Sequence, residues 1–74
     1  MHKEIIHSDQ APKAIGPYSQ GVRVNQTVYL SGQIPLNPVT MELVTDSFES
    51  QAVQVFDNIT AVAKSAGATL DNIV

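Results

Sequence analysis

The sequence predicts one small domain of mixed class, in which a few short strands are covered by a single amphipathic helix. Two patterns and a size argument predict it. Apolar and polar residues alternate over Val22–Val24 and Val28–Leu30, which is the period of a strand. From Phe48 to Ala66 the apolar residues recur at helical spacing. The chain has 74 residues. Folded, a chain of that size exposes roughly 4,500 Å² of the roughly 11,600 Å² it exposes unfolded, enough for one core and no second domain.

Lys3–His7 reads as the first strand, with β-branched Ile5 and Ile6, and it ends at Ser8-Asp9. Ala11–Gln20 is irregular and punctuated by Pro12, Gly16 and Pro17. Gly21–Gly32 reads as a hairpin turning at Asn25-Gln26, with Val22, Val24, Val28 and Leu30 expected on one buried face. Ile34–Thr45 is a loop with at most one short extended piece, and Asn37-Pro38 marks a turn. Asp46–Ala66 is the helix. Asp46 and Glu49 have the spacing of a capping box. Phe48, Ala52, Val55, Phe56, Ile59, Val62, Ala63 and Ala66 form its apolar stripe, and Gln51, Gln54, Asp57, Lys64 and Ser65 fall mostly opposite. Gly67 is placed to close it in the left-handed conformation. Ile73-Val74 reads as the opening of a further strand, so residues 1–74 are expected to be the N-terminal portion of a single domain, cut after its first helix.

Composition narrows the function. Seven acidic and four basic residues give a net charge of −3, and Lys3, Lys13, Arg23 and Lys64 are scattered, so no basic face for nucleic acid is expected. No apolar run is long enough to span a membrane, and Met1-His2-Lys3-Glu4 does not open a signal peptide, so a cytoplasmic protein is expected. The absence of cysteine excludes disulfides, thiolate metal sites and a cysteine nucleophile. His2 and His7 have no third ligand at metal-binding spacing, and no metal is expected. The sequons at Asn25 and Asn58 read as chance matches.

Two segments carry the candidate chemistry. In Ala14–Gly21, Pro17 fixes the backbone and sets the direction of Tyr18 just before a strand. In Leu30–Pro35 a strand ends in a hydroxyl, a glycine and an amide. Gly32 lets a ligand approach the backbone, and Ser31 with nearby N–H groups offers donors to an anion or carbonyl oxygen. The plainer readings are a packed Tyr18 with a satisfied hydroxyl and a simple strand end at Ser31-Gly32. Spacing alone names no reaction.

A-P-K-A-I-G-P-Y-S-Q-G at Ala11–Gly21 and S-G-Q-I-P at Ser31–Pro35, followed in order by the Gln51–Gly67 helix and L-D-N-I-V at Leu70–Val74, resemble the RidA family, the reactive intermediate deaminases. The resemblance implies an α+β fold of chorismate-mutase-like type, with helices on one face of a mixed sheet. It also implies a cytoplasmic homotrimer with ligand pockets between subunits. The activity it implies is hydrolysis of reactive 2-imino and enamino acids, such as 2-aminoacrylate and 2-iminobutanoate, to 2-keto acids and ammonia, without cofactor or metal. Tyr18, Ser31, Gly32, Gln33 and Ile34 match positions that line the family pocket. The arginine that pairs with the substrate carboxylate and the glutamate that positions water fall outside this sequence, and Arg23 does not match that arginine. Met41 stands where the family usually has glycine, in N-P-x-T-G. A non-catalytic binder of small keto acids is the main alternative, and a ribonuclease activity is a third reading that the net charge disfavours.

Overall fold

The computed structural model describes residues 3–73. Three four-residue strands, β1 (Lys3–Ile6), β2 (Gly21–Val24) and β3 (Thr27–Leu30), form an antiparallel sheet in the order β1-β2-β3. One helix, α1 (Phe48–Ser65), follows, and then a short 3₁₀ turn at Leu70–Asn72. Ile73 continues with extended backbone, and Val74, the other half of the expected strand opening, lies outside the described residues. The fold class is the expected α+β, and every strand pairing among the described residues is antiparallel.

The hairpin turns where expected, but its faces differ from expectation. The two-residue turn pairs Val24 with Thr27 and Val22 with Tyr29. Directly paired residues point to the same side of a sheet. Val22 and Val24 therefore share a face with Thr27 and Tyr29, while Val28 and Leu30 share the other with Gly21 and Arg23. A turn with an even number of residues joins even positions on one strand to odd positions on the next, so the four apolar residues cannot lie together.

The core forms where α1 crosses the second face. Ile6, Ala11, Val62 and Ala66 are buried together, with Val28, Leu30 and Ala61 packed against them. The approach is close at Gly21, where an added Cβ would lie 3.1 Å from the Leu30 side chain and 3.3 Å from those of Ile6 and Val62. Of the expected helical stripe, only the C-terminal end is buried. Phe48 is 84% exposed and Phe56 58%. An 18-residue helix is about 27 Å long. A four-residue strand covers only about 13 Å, so this sheet reaches one half of the helix. Gln51 and Gln54, expected on the solvent side, are partly buried: the Gln51 amide donates to the Val44 carbonyl of the preceding loop at 3.0 Å, and the Gln54 amide to Asn58 Oδ1 at 2.9 Å.

The ends of α1 follow from local chemistry. The N-cap is Ser47, not Asp46: the Ser47 hydroxyl accepts from the Ser50 N–H at 3.0 Å. Asp46 lies one residue outside, and Glu49 in the first turn still meets the positive end of the helix dipole. At the other end Gly67 has φ +79°, as expected. The Gly67 N–H reaches the Lys64 carbonyl and the Ala68 N–H the Ala63 carbonyl, both at 2.9 Å, which is a Schellman closure. The loop between β3 and α1 contains one antiparallel bridge, Leu36 with Leu43.

Candidate functional site

The two motifs singled out in the sequence meet at the entrance to β2 and the exit of β3. Two hydrogen bonds join them. The Ser31 N–H donates to the Gln20 carbonyl at 3.0 Å, and the Ser31 hydroxyl donates to the Ser19 carbonyl. Ser31 is thereby fixed as a fastener between the segments. Its hydroxyl proton is engaged, so towards a ligand the oxygen presents lone pairs and the role expected of it as a donor is taken up inside the fold.

Tyr18 is held by a tight turn in which its N–H donates to the Gly16 carbonyl at 3.0 Å. Gly16 has φ +110°, a conformation that L side chains rarely adopt, which accounts for the glycine before Pro17. The ring is half exposed, at 50%. Its hydroxyl oxygen accepts from the Ile15 N–H at 3.4 Å, leaving the phenolic proton available to an outside acceptor. Among residues 3–73 Tyr18 is thus half exposed, with a partner for its hydroxyl oxygen.

Gly32 is exposed, its φ is not left-handed, and a Cβ built there meets nothing within 4 Å. Nothing in this chain's own packing requires a glycine at that point. Gln33 is partly buried, and Ile34 beyond it is 59% exposed. Together with Ile15, Tyr18 and Ile34 leave apolar side chains open to solvent on the site segments.

Two buried amides support these segments, and the sequence reading assigned neither a role. Gln20 is 2% exposed. Its Oε1 accepts from the Ser8 N–H at 2.6 Å, and its Nε2 donates to the carbonyls of Ser8 (3.1 Å), Ala11 (3.4 Å) and Pro12 (2.8 Å). One side chain therefore pins the long β1–β2 connection to the start of β2. Asn58 is fully buried, at 0%. From α1 its Nδ2 donates to the carbonyls of Ile34 (3.2 Å) and Leu36 (3.0 Å), while its Oδ1 accepts from the Gln54 amide at 2.9 Å. The sequence carried a signal for it: an amide four residues before Val62, within the apolar stripe, has to be satisfied by something.

Arg23, the one arginine, points away from this site. Its Nε donates to Glu4 Oε1 at 3.0 Å and its terminal nitrogen to the Ala66 carbonyl at the C-terminal end of α1, where a cation complements the helix dipole. An open groove of about 790 Å³ runs between β3 and the end of α1, bordered by Thr27, Tyr29, Ala66, Ala68 and Ile73, and contains none of the expected site residues. Among the described residues no group of three metal-ligating side chains occurs; His7 Nε2 lies 2.9 Å from Asp9 Oδ1, and His2 lies outside them. No helix among the described residues is long and apolar enough to cross a membrane.

Comparison with known proteins places this architecture. A family model described as endoribonuclease L-PSP matches residues 8–74. A RutC family protein of Saccharolobus solfataricus is 53% identical over 72 residues, covering 97% of this chain and 57% of the relative. A 2-iminobutanoate/2-iminopropanoate deaminase of Dermatophagoides farinae is 49% identical over 72 residues, covering 97% of this chain and 56% of the relative. The crystal structure of a conserved Rid family protein of unknown function from Yersinia pestis superposes with a TM-score of 0.95 at 51% identity, covering 99% of this chain and 58% of that one. The chain thus spans a little over half the length of these relatives. Because the family model matches residues 8–74 of the chain and relatives named RutC and Rid are about half identical to it, the chain belongs to the RidA family, the family also described as endoribonuclease L-PSP.

Proposed function

We propose that residues 1–74 form the N-terminal portion of a single deaminase domain and supply one wall of a pocket that hydrolyses 2-imino acids of the 2-iminobutanoate and 2-iminopropanoate type. The observation that carries this reading is the fastening of the Tyr18 and Ser31–Ile34 segments to each other, in a chain about half identical to relatives bearing that activity in their names. The reaction needs little from the protein. The imine carbon is already electrophilic. Water adds to it, forming a C–O bond and a carbinolamine whose nitrogen takes up the proton. The hydroxyl proton passes to the nitrogen, the C=O bond forms as the C–N bond breaks, and ammonia leaves the 2-keto acid behind.

In this reading the Tyr18 hydroxyl offers a donor, Ser31 an acceptor, and Gly32 leaves room for the substrate beside the backbone. Gln33 and Ile34 continue the wall. The contribution of all five is positioning. The carboxylate-binding arginine and the water-orienting glutamate belong outside residues 1–74, and Arg23 is already engaged by Glu4 and Ala66. No cofactor takes part. The domain assembles as a homotrimer in the cytoplasm, with pockets between subunits.

Gly32→Val tests the wall selectively. A Cβ at that point meets nothing within 4 Å, so the thermal midpoint stays within a degree or two while kcat/KM falls about tenfold or more. Tyr18→Phe and Ser31→Ala each lower it as well. Unchanged kcat/KM in all three removes these residues from the site. The family's description as an endoribonuclease raises a second reading, against which stand the net charge of −3 and the scattered cations. RNA binding that persists at high salt would favour it. Saturable keto-acid binding without turnover would favour a non-catalytic binder.

A further inference from the structure

We infer that Asn58 is a positioning residue for the ligand-facing wall at Gln33–Ile34, acting through the backbone of the loop. This rests on the deaminase reading of the site. The Ser31–Leu36 segment leaves β3 and is fastened at two places. At its start, Ser31 bonds to the Ser19 and Gln20 carbonyls. At its end, the Asn58 amide donates to both the Ile34 and Leu36 carbonyls from within α1. Between these anchors a Cβ at Gly32 would meet nothing within 4 Å and the Ile34 side chain is exposed, so the side chains there do little to fix where the wall stands.

The grip is specific to an amide. Two carbonyls converge on one nitrogen, which therefore needs two N–H donors, and the uncharged amide supplies both without burying a charge. The orientation of that group is set by Gln54, whose own NH₂ donates to Asn58 Oδ1 and so fixes the nitrogen towards the loop. The Ile34 carbonyl also accepts the Leu36 N–H at 2.8 Å, forming a tight turn around Pro35, and the Pro35 carbonyl accepts the Val44 N–H at 2.8 Å. Asn58 thus grips the two carbonyls that flank Pro35, while the Val44 N–H holds the carbonyl of Pro35 itself. Asn58 is fully buried, and of the candidate site residues its side chain bonds only to the backbone carbonyl of Ile34. Its effect falls on where the wall stands, which is a matter of substrate fit.

The test is kinetic, on the protein at the length its cells make, with Val62→Ala as a control for core destabilisation at an equally buried point of α1. With 2-iminobutanoate as substrate and well below both thermal midpoints, Asn58→Ala raises KM about tenfold with kcat within twofold, whereas Val62→Ala leaves both parameters near those of the wild type. Equal kinetic behaviour of the two variants overturns the positioning role. Gln54→Met, which removes only the group orienting the amide, gives the same split at about threefold, and it decides the matter if Asn58→Ala does not fold. An unchanged KM in Gln54→Met then counts against the role. A wild type that neither binds 2-oxobutanoate nor hydrolyses the imine overturns the deaminase reading, and the ligand role of Asn58 with it. A wild type that turns over normally while the variants keep its KM overturns the role of Asn58 alone.

Discussion

Gln20 shows how much a single side chain can carry in a chain this small. It satisfies one N–H and three carbonyls, and an apolar replacement leaves all four without it in a buried place. Gln20→Leu should cost about 3 kcal/mol or more, read as a lower urea midpoint at unchanged slope. Met41 presents the opposite case. It adopts φ +59°, the left-handed region that suits the glycine of the family pattern. Left-handed backbone costs a non-glycine residue about 1–2 kcal/mol, and a glycine in the unfolded chain costs about 0.4–1 kcal/mol in entropy. Met41→Gly should therefore raise stability by about 0.5–1 kcal/mol, measurable as a small rise in thermal midpoint. At this scale the site was legible only as motifs. Pro17 and Gly16 announced a fixed Tyr18, and the structure gives it a defined turn. The sequence could not say that the Ser31 proton would be engaged by Ser19, because that partner lies twelve positions away and is a backbone atom. Gln20 and Asn58 likewise bond to backbone atoms distant in sequence, and of the two only Asn58 carries a sequence signal, as an amide within an apolar stripe.

The first strand ends at Ile6, one residue before the expected His7, and the start of the helix is misplaced in a more instructive way. Asp46 and Glu49 have the right spacing, but the hydroxyl of Ser47 reaches the Ser50 N–H and takes the cap. Ser47→Ala should destabilise the protein by about 1 kcal/mol, and Asp46→Ala by less than about 0.5 kcal/mol. A larger loss from Asp46→Ala than from Ser47→Ala in matched thermal melts would return the cap to Asp46. The hairpin was legible in its position and its turn. Its faces were not, because alternation within each strand says nothing about how two strands are registered. That is set by the count of turn residues, and two residues put Val22 opposite Tyr29. The helical stripe was legible as a stripe. Its N-terminal half stays open because short strands cannot underlie a helix twice their length.

The whole chain exposes 5391 Å², against roughly 4,500 Å² for a compact monomer of its size. Part of that excess is the sheet face turned away from α1, where Ile5, Val22, Val24 and Tyr29 stand together and both Ile5 and Tyr29 are more than half exposed. A face of this kind accords with the proposed trimer. Tyr29→Glu would bury an unpaired charge in such an interface at a cost of several kcal/mol, so sedimentation equilibrium should show the trimer replaced by monomer. A trimer that survives the substitution would place the interface elsewhere. The central claim, that this chain builds part of an imine-hydrolysing pocket, is tested most directly by one rate: loss of 2-iminobutanoate in the presence of the protein at its native length, compared with buffer. Acceleration is expected, with 2-oxobutanoate and ammonia appearing in equal amounts. A rate indistinguishable from buffer would contradict it.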